Sequence, residues 1–224
     1  MSPTRQAGRR LGRPHSVPGT DVRERLLDAA VTRFAQEGVA ATSTAKIAND
    51  AGVTAAMVHY YFTNRQSLLD AVAEERLLRN VNAVWASVTD SNEHAPDLVR
   101  GLAQRIMHAA QTQPWLPTLW LREVVSEGGQ LRERMLTRLP LAQLQNFISK
   151  LAAAQRRGEV NPAVDPRLVF VSLIGLTLLP LATMGVWRRV PQLQNISHEE
   201  LARHAEALLL HGLFGPRSRR PRTR

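Results

Sequence analysis

The chain has 224 residues, enough for one domain or two small ones around a real hydrophobic core, and its 44% hydrophobic and 21% charged residues are ordinary globular usage. It has no cysteine, which excludes disulfides, thiolate metal sites and a cysteine nucleophile. The net charge of +10 is held at the ends: residues 1–25 carry six arginines against two acids, residues 217–224 carry five arginines and no acid, and the body between is nearly neutral. Arginine-rich ends suit a polyanion, of which nucleic acid is the usual one, or serve as solubilising tails.

In chain order, residues 1–19 are rich in Pro, Gly and Arg and have no apolar period, which predicts a flexible basic arm and not a secretory signal. The expected location is therefore cytoplasmic. Leu26, Leu27, Ala30, Val31 and Phe34 fall at helical spacing, so a first helix is predicted near 21–37, with Gly38 at its C′ position. Two short helices follow near 44–51 and 55–61. A longer one starts after Asn64 and runs towards Val88, with a loop around 91–95. Pro96 marks the next start, and that helix runs to about Thr112. Gln113-Pro114-Trp115 opens another, closed by Gly128-Gly129. A long helix is predicted over 130–157, kinked at Pro140 and stopped at Gly158. The last carries a capping box, Ser197-x-x-Glu200, and ends at Gly212. Strand alternation is absent, so the predicted class is all-α, with about nine helices.

One stretch, Leu168 to Trp187, is twenty residues long without a charge, about the length of a membrane span. Its Pro180, Gly175, Gly185 and three hydroxyl residues, and the Asp165-Pro166 start before it, favour a helix buried between protein layers. No membrane partner is expected.

The informative segment is 43–62. Ser43 is a candidate N-cap, and Ile47, Ala48 and Ala51 form one apolar face. Gly52 permits the left-handed backbone of a tight turn, and Val53 plugs the space after it. Thr54 is a candidate cap for the next short helix, whose Val58, Tyr61 and Phe62 face the core. This order describes a helix-turn-helix, whose second helix enters the DNA major groove.

With Phe34, Ala35 and Gly38 before it, and Tyr60, Arg65, Leu68 and Leu69 in and after it, the segment resembles the N-terminal domain of the tetracycline-repressor (TetR) family over about residues 21–72. The resemblance implies a three-helix DNA-binding domain over 20–66, a helical ligand-binding and dimerisation domain over 67–214, and basic ends at 1–19 and 215–224. It also implies a dimeric regulator, a repressor released from a palindromic operator by a small molecule, and no enzyme. Its partners would be double-stranded DNA, a second copy of itself and an unknown effector, with no cofactor and no metal. The alternative is a ligand-independent, architectural DNA-binding dimer, which the basic ends also fit.

Carried over position by position, Ser43, Thr44, Thr54, Tyr60 and Arg65 are the expected phosphate contacts, and Ala45, Ala55, Ala56, Met57 and His59 face base edges. The recognition helix has no Arg, Lys, Asn or Gln, the side chains that make bidentate base contacts. Thymine methyls are then read through Ala55, Ala56 and Met57, with one hydrogen bond from His59. Arg9, Arg10 and Arg13 add minor-groove contacts or act as an electrostatic tether. In the larger remainder the expected pocket residues are Trp85, Met107, His108, Trp115, Trp120, Glu123 and Phe147. Trp120 and Glu123 are three apart, so on a regular helix they share a face, and a buried acid beside an indole suits a cationic or hydrogen-bonding aromatic ligand. The alternative is an exposed Glu123 and tryptophans that are plain core. Val171, Gly175, Leu178, Ala182, Leu201 and Leu208 are the expected dimer interface. His204 and His211 share a face of the last helix, where an interface or surface role is preferred to a shared metal.

Overall fold

A computed structural model describes residues 18–86, 88 and 94–215. The basic ends at 1–17 and 216–224 and most of the loop at 91–95 lie outside them. The described residues are helical, without strands, in twelve α-helical segments joined by two π turns and one 3₁₀ turn. Twelve segments replace the expected nine because two predicted helices are broken and a third is divided by a π turn.

The first core is built by α1 (Pro18–Glu37), α2 (Thr44–Asp50), α3 (Ala55–Tyr61) and α4 (Arg65–Val72). Leu26, Leu27, Val31 and Phe34 of α1 are wholly buried with Ile47, Leu68 and Val72. Gly38 ends α1 at φ +88°, where its N–H donates to the Phe34 carbonyl at 3.0 Å. Gly52 makes the turn between α2 and α3 at φ +67°, and the Val53 N–H closes it on the Ala48 carbonyl at 2.9 Å. Asn64 and Ser67 form a reciprocal capping box that starts α4.

From α4 the chain runs through a π turn (Ala73–Leu78) into α5 (Arg79–Trp85) without leaving the helical path. This rod carries the backbone from the first core, at Leu68 and Leu69, to the second, at Trp85. Ion pairs bind it to α1: Arg23 to Glu75, and Arg76 to both Glu24 and Asp28 at 2.8 and 2.9 Å.

The second core joins α5 to α6 (Ala95–Thr112), α9 (Leu141–Arg156), α10 (Val169–Ala182) and α12 (His198–Phe214). Trp85 meets Phe147 edge-on at 6.2 Å and Phe170 at 5.0 Å. Between the cores lie α7 (Leu116–Trp120), its π continuation (Leu121–Val125) and α8 (Arg132–Leu136). The first core is not confined to residues before 66: it takes in Leu116, Leu119, Val124, Leu131 and Met135.

Two predicted helices are corrected. Pro140 does not kink one long helix over 130–157; it separates α8 from α9, with ψ +67° outside the helical range. The uncharged stretch does not run unbroken to Trp187. α10 ends at Ala182, Thr183 turns the chain, and a single turn, α11 (Met184–Trp187), follows. Fourteen helical residues rise only about 21 Å, short of a hydrocarbon core of about 30 Å. No helix among the described residues is long and apolar enough to cross a membrane.

The Arg23 guanidinium, bonded to Glu75, holds that carboxyl below the usual glutamate range. A depressed carboxyl stabilises the fold above the unfolded-state pKa of about 4.3 and loses that effect as pH falls through its folded value. Urea unfolding should therefore show Glu75→Gln less stable than the parent at pH 7, with the difference closing below about pH 4. A gap that persists undiminished at pH 3 contradicts the assignment.

Candidate nucleic-acid interface and cavity

Of the expected DNA-contact residues, the structure brings most to one surface of the helix-turn-helix. Ser43, Ala45, Thr54, Ala55, Ala56, His59 and Tyr60 are exposed, and Thr44 and Met57 are half-buried. Tyr60 stands out at 78% exposure, its ring edge-on to Tyr61 at 5.0 Å. The Ser43 hydroxyl caps α2 by accepting from the Lys46 N–H at 3.3 Å. Thr54 has the extended backbone of an N-cap, but its hydroxyl makes no capping bond to α3. That is a correction to its expected capping role, and it leaves the hydroxyl at the surface.

Arg65 is only half-exposed. Its guanidinium donates to the Thr42 carbonyl at 2.7 Å and to the Val39 carbonyl. Lys46 pairs with Glu37 at 2.6 Å, and Glu37 also takes Arg33 at 2.7 Å. These two cations hold the Glu37 carboxyl below its ordinary range. The cations nearest the recognition surface are thus engaged by the protein itself.

Arg65 belongs to a wider arrangement around the six-residue link between α1 and α2. From the α4 side it holds the Val39 and Thr42 carbonyls. From the other side, Arg122 donates to the Ala35 and Gln36 carbonyls at 3.2 and 2.9 Å, and so caps the C-terminal end of α1. Glu123, 5% exposed, accepts from the Val39 N–H at 2.8 Å and from the Gln130 N–H at 3.0 Å. Thr42, also buried, closes the link by donating to the Gly38 carbonyl at 2.8 Å. Neither the Arg122 pair nor the Glu123 bridge is visible from residue spacing, because Ala35, Gln36 and Val39 lie more than eighty positions away.

The second feature is an apolar cavity of about 300 Å³ between α5, α6, α7, α9 and α10. Trp85 and Asn80 come from α5 and Ile106 from α6. Trp120 enters from α7, with Leu144 from α9 and Phe170 from α10. No ionisable side chain lines it. Of the expected pocket residues, Trp85 and Trp120 stand in its wall and the other five do not. Met107 is buried away from the cavity, and His108 is exposed. Trp115 packs on the first core, and Phe147 is buried behind Trp85. Glu123 is turned away to the α1–α2 link, so the acid that was to meet a cationic ligand is absent from the wall. The π turn explains this: it starts at Leu121 and closes its hydrogen bonds over five residues, so each residue advances less round the axis and one three beyond Trp120 falls short of the face that α spacing gives it.

The expected dimer residues divide similarly. Val171 and Leu178 border the cavity, although Val171 is also 64% exposed. Leu208 is exposed, while Gly175, Ala182 and Leu201 are half-buried. A side chain added at Gly175 would meet nothing within 4 Å. His204 and His211 are exposed, and the His211 ring nitrogen lies 2.9 Å from the Ala207 carbonyl.

The arrangement is that of a helix-turn-helix DNA-binding unit joined through α7 to a helical unit with an apolar cavity. Residues 26–72 of the chain match the family model for bacterial regulatory proteins of the tetR family. Over 91 residues it is 37% identical to the nicotine-responsive transcriptional repressor HdnoR of Paenarthrobacter nicotinovorans, a match covering 41% of this chain and 44% of that one. Over 177 residues it is 27% identical to the transcriptional repressor SCO4008 of Streptomyces coelicolor, covering 77% and 81%. The structure superposes on AibR, solved with isovaleryl coenzyme A and operator DNA, with a TM-score of 0.66 at 20% identity, covering 88% and 99%. That likeness extends the shared fold well beyond the helix-turn-helix. The family and these relatives are transcriptional regulators, not enzymes.

The bridge predicts a contrast between adjacent glycines. A Cβ on Gly129 would lie 2.3 Å from the Glu123 carbonyl oxygen, whereas one on Gly128 meets nothing within 4 Å. Gly129→Ala should cost about 2 kcal/mol or more in chemical denaturation, and Gly128→Ala less than about 0.5. Equal effects would contradict the packing described.

Proposed function

We propose that the chain is a homodimeric transcriptional repressor that holds a palindromic operator through α3 and releases it when a small molecule fills the cavity. One observation carries this reading: α7 is shared. Its Trp120 lines the cavity, its Leu119 belongs to the first core, and its continuation bonds the α1–α2 link through Arg122 and Glu123. A ligand that displaces Trp120 shifts the π turn, and with it the link that positions α2 and α3. The effect is as large as the ligand's preference for the released arrangement over the DNA-bound one. An architectural DNA-binding dimer has no use for this connection, which is why the effector reading is preferred. AibR, similar in fold, has been solved with a coenzyme A thioester and operator DNA together, and HdnoR is named for its response to nicotine.

On DNA, Ala55, Ala56 and Met57 meet thymine methyls and His59 supplies one hydrogen bond to a base edge. Ser43, Thr44, Thr54 and Tyr60 contact phosphates, with Ala45 beside them. Arg65 acts mainly by fixing the link, since its guanidinium is bonded to two carbonyls. The arm arginines Arg9, Arg10 and Arg13 then supply phosphate charge that Lys46 and Arg65 do not offer freely. The exposed apolar face of α10 and α12, with Leu179 and Leu208 about half exposed, packs on its copy and sets two recognition helices one DNA turn apart, about 34–36 Å.

Binding-site selection from random DNA at fixed salt tests this. It should enrich an inverted repeat with thymines at the positions under α3. Tyr60→Phe should weaken the selected site about tenfold or more without changing the melting temperature, as a hydrogen bond to a charged phosphate is worth about 1.5–3 kcal/mol. Deleting residues 1–15 should flatten the dependence of affinity on salt. Failure to enrich any repeat would overturn the reading.

The coupling has its own test. Glu123→Gln keeps one acceptor but turns an amide N–H towards a backbone N–H. It should leave effector affinity within about twofold and cut the effector-induced loss of operator affinity at least about fivefold, or about 1 kcal/mol of coupling. Titrating operator binding with and without effector measures both, and unchanged coupling would remove Glu123 from the path.

A further inference from the structure

The cavity wall carries few polar groups, and their arrangement limits what it can hold. With no ionisable side chain in the lining, an ammonium or carboxylate drawn inside gives up its hydration and meets no opposite charge. One polar side chain, Asn80, stands among the apolar and aromatic ones. The Asn80 side chain donates through Nδ2 to the Arg76 carbonyl at 2.7 Å. A carbonyl can only accept, so the orientation of the amide is settled, and Oδ1 is left as a hydrogen-bond acceptor. The wall thus offers one side-chain acceptor in an otherwise hydrocarbon surface.

We propose that the cavity binds a neutral, mainly hydrocarbon molecule bearing a hydroxyl group, a lipophilic alcohol or phenol. A hydroxyl has the proton this acceptor needs and donates it to Asn80 Oδ1. An ether or ketone accepts only and leaves Asn80 unpaired. The cavity of about 300 Å³ holds about ten water-sized volumes, which fits a ligand on the order of ten to fifteen heavy atoms. Exposed Leu141 and Val171 at its margin continue the apolar surface outwards, so a longer hydrocarbon extends past the wall without meeting charge there. This assignment rests on the effector reading above and departs from the amine ligand in HdnoR's name.

A headgroup series on one skeleton tests it on the full-length protein without DNA. 1-Decanol, decyl methyl ether, decanoate and decylammonium, each below its micelle threshold, are titrated against intrinsic tryptophan fluorescence and melting temperature. 1-Decanol should bind at least tenfold more tightly than either ion and about fivefold more tightly than the ether, one hydrogen bond's worth. Asn80→Ala should remove the alcohol's advantage over the ether while leaving ether binding within twofold. Trp120→Phe should weaken alcohol and ether alike by severalfold. Ion binding equal to that of the alcohol overturns the proposal. So does an alcohol preference that survives Asn80→Ala, or binding by none of the four. Alcohol binding that leaves operator affinity unchanged would instead overturn the ligand-released repressor and leave the ligand class standing.

Discussion

The structure depends on a single buried carboxylate. Glu123 accepts one backbone N–H from the link after α1 and another from the turn after its own helix. It thereby joins two segments that each need an outside acceptor. The Val39 N–H follows the left-handed Gly38, where α1 can no longer supply a carbonyl, and the Gln130 N–H follows Gly129. An unpaired buried N–H costs about 1–3 kcal/mol, so the pair fixes how the two cores meet more firmly than apolar contact alone. Gly38 and Gly129 are part of the same arrangement. A Cβ at Gly38 would lie 3.3 Å from Glu123 Oε1, and one at Gly129 would strike the Glu123 backbone. Both glycines therefore provide close approach, and Gly38 provides its positive φ as well.

Around that bridge the molecule is built for transmission rather than insulation. The rod from α4 to α5 crosses from one core to the other. α7 and its π turn do the same in the opposite sense, with Leu119 in the first core and Trp120 against the cavity. Close-packed interiors pass displacement on instead of absorbing it. Ion pairs along α1, among them Arg23 to Glu75 and Arg76 to Glu24 and Asp28, tie the first helix to the rod. A change in the cavity wall thus reaches the α1–α2 link by two routes, the bonded one through Glu123 and the packed one along the rod.

Much of this was legible in the residues, and unevenly so. The helix-turn-helix could be read because its signals are local: the Ser43 cap, the Gly52 turn, the Val53 plug and the apolar face of α2 all lie within about twenty positions. The dihedrals at Gly38 and Gly52 and the Ser43 cap bond agree with that reading. Thr54 and Arg65 were less legible, since residue type alone does not say whether a hydroxyl caps or a guanidinium finds carbonyls. The cavity was the hardest part. Trp85 and Trp120 stand in its wall, but a π turn between Trp120 and Glu123 moves the acid off the face that Trp120 turns to the cavity. Pro140 had the same effect on helix count, since it ends α8 completely instead of bending a longer helix.

That displacement changes the chemistry assigned to the protein. With Glu123 in the wall, the cavity would select cations, and the bridge to Val39 would be missing. With Glu123 in the bridge, the wall is neutral and the coupling to the DNA-binding unit is direct. The two roles exclude each other, because a carboxylate that reaches the Val39 and Gln130 N–H groups lies outside the cavity wall. On the proposed function, a ligand reaching Trp120 acts on the first core by moving the helix that carries Glu123, and not by competing for its charge.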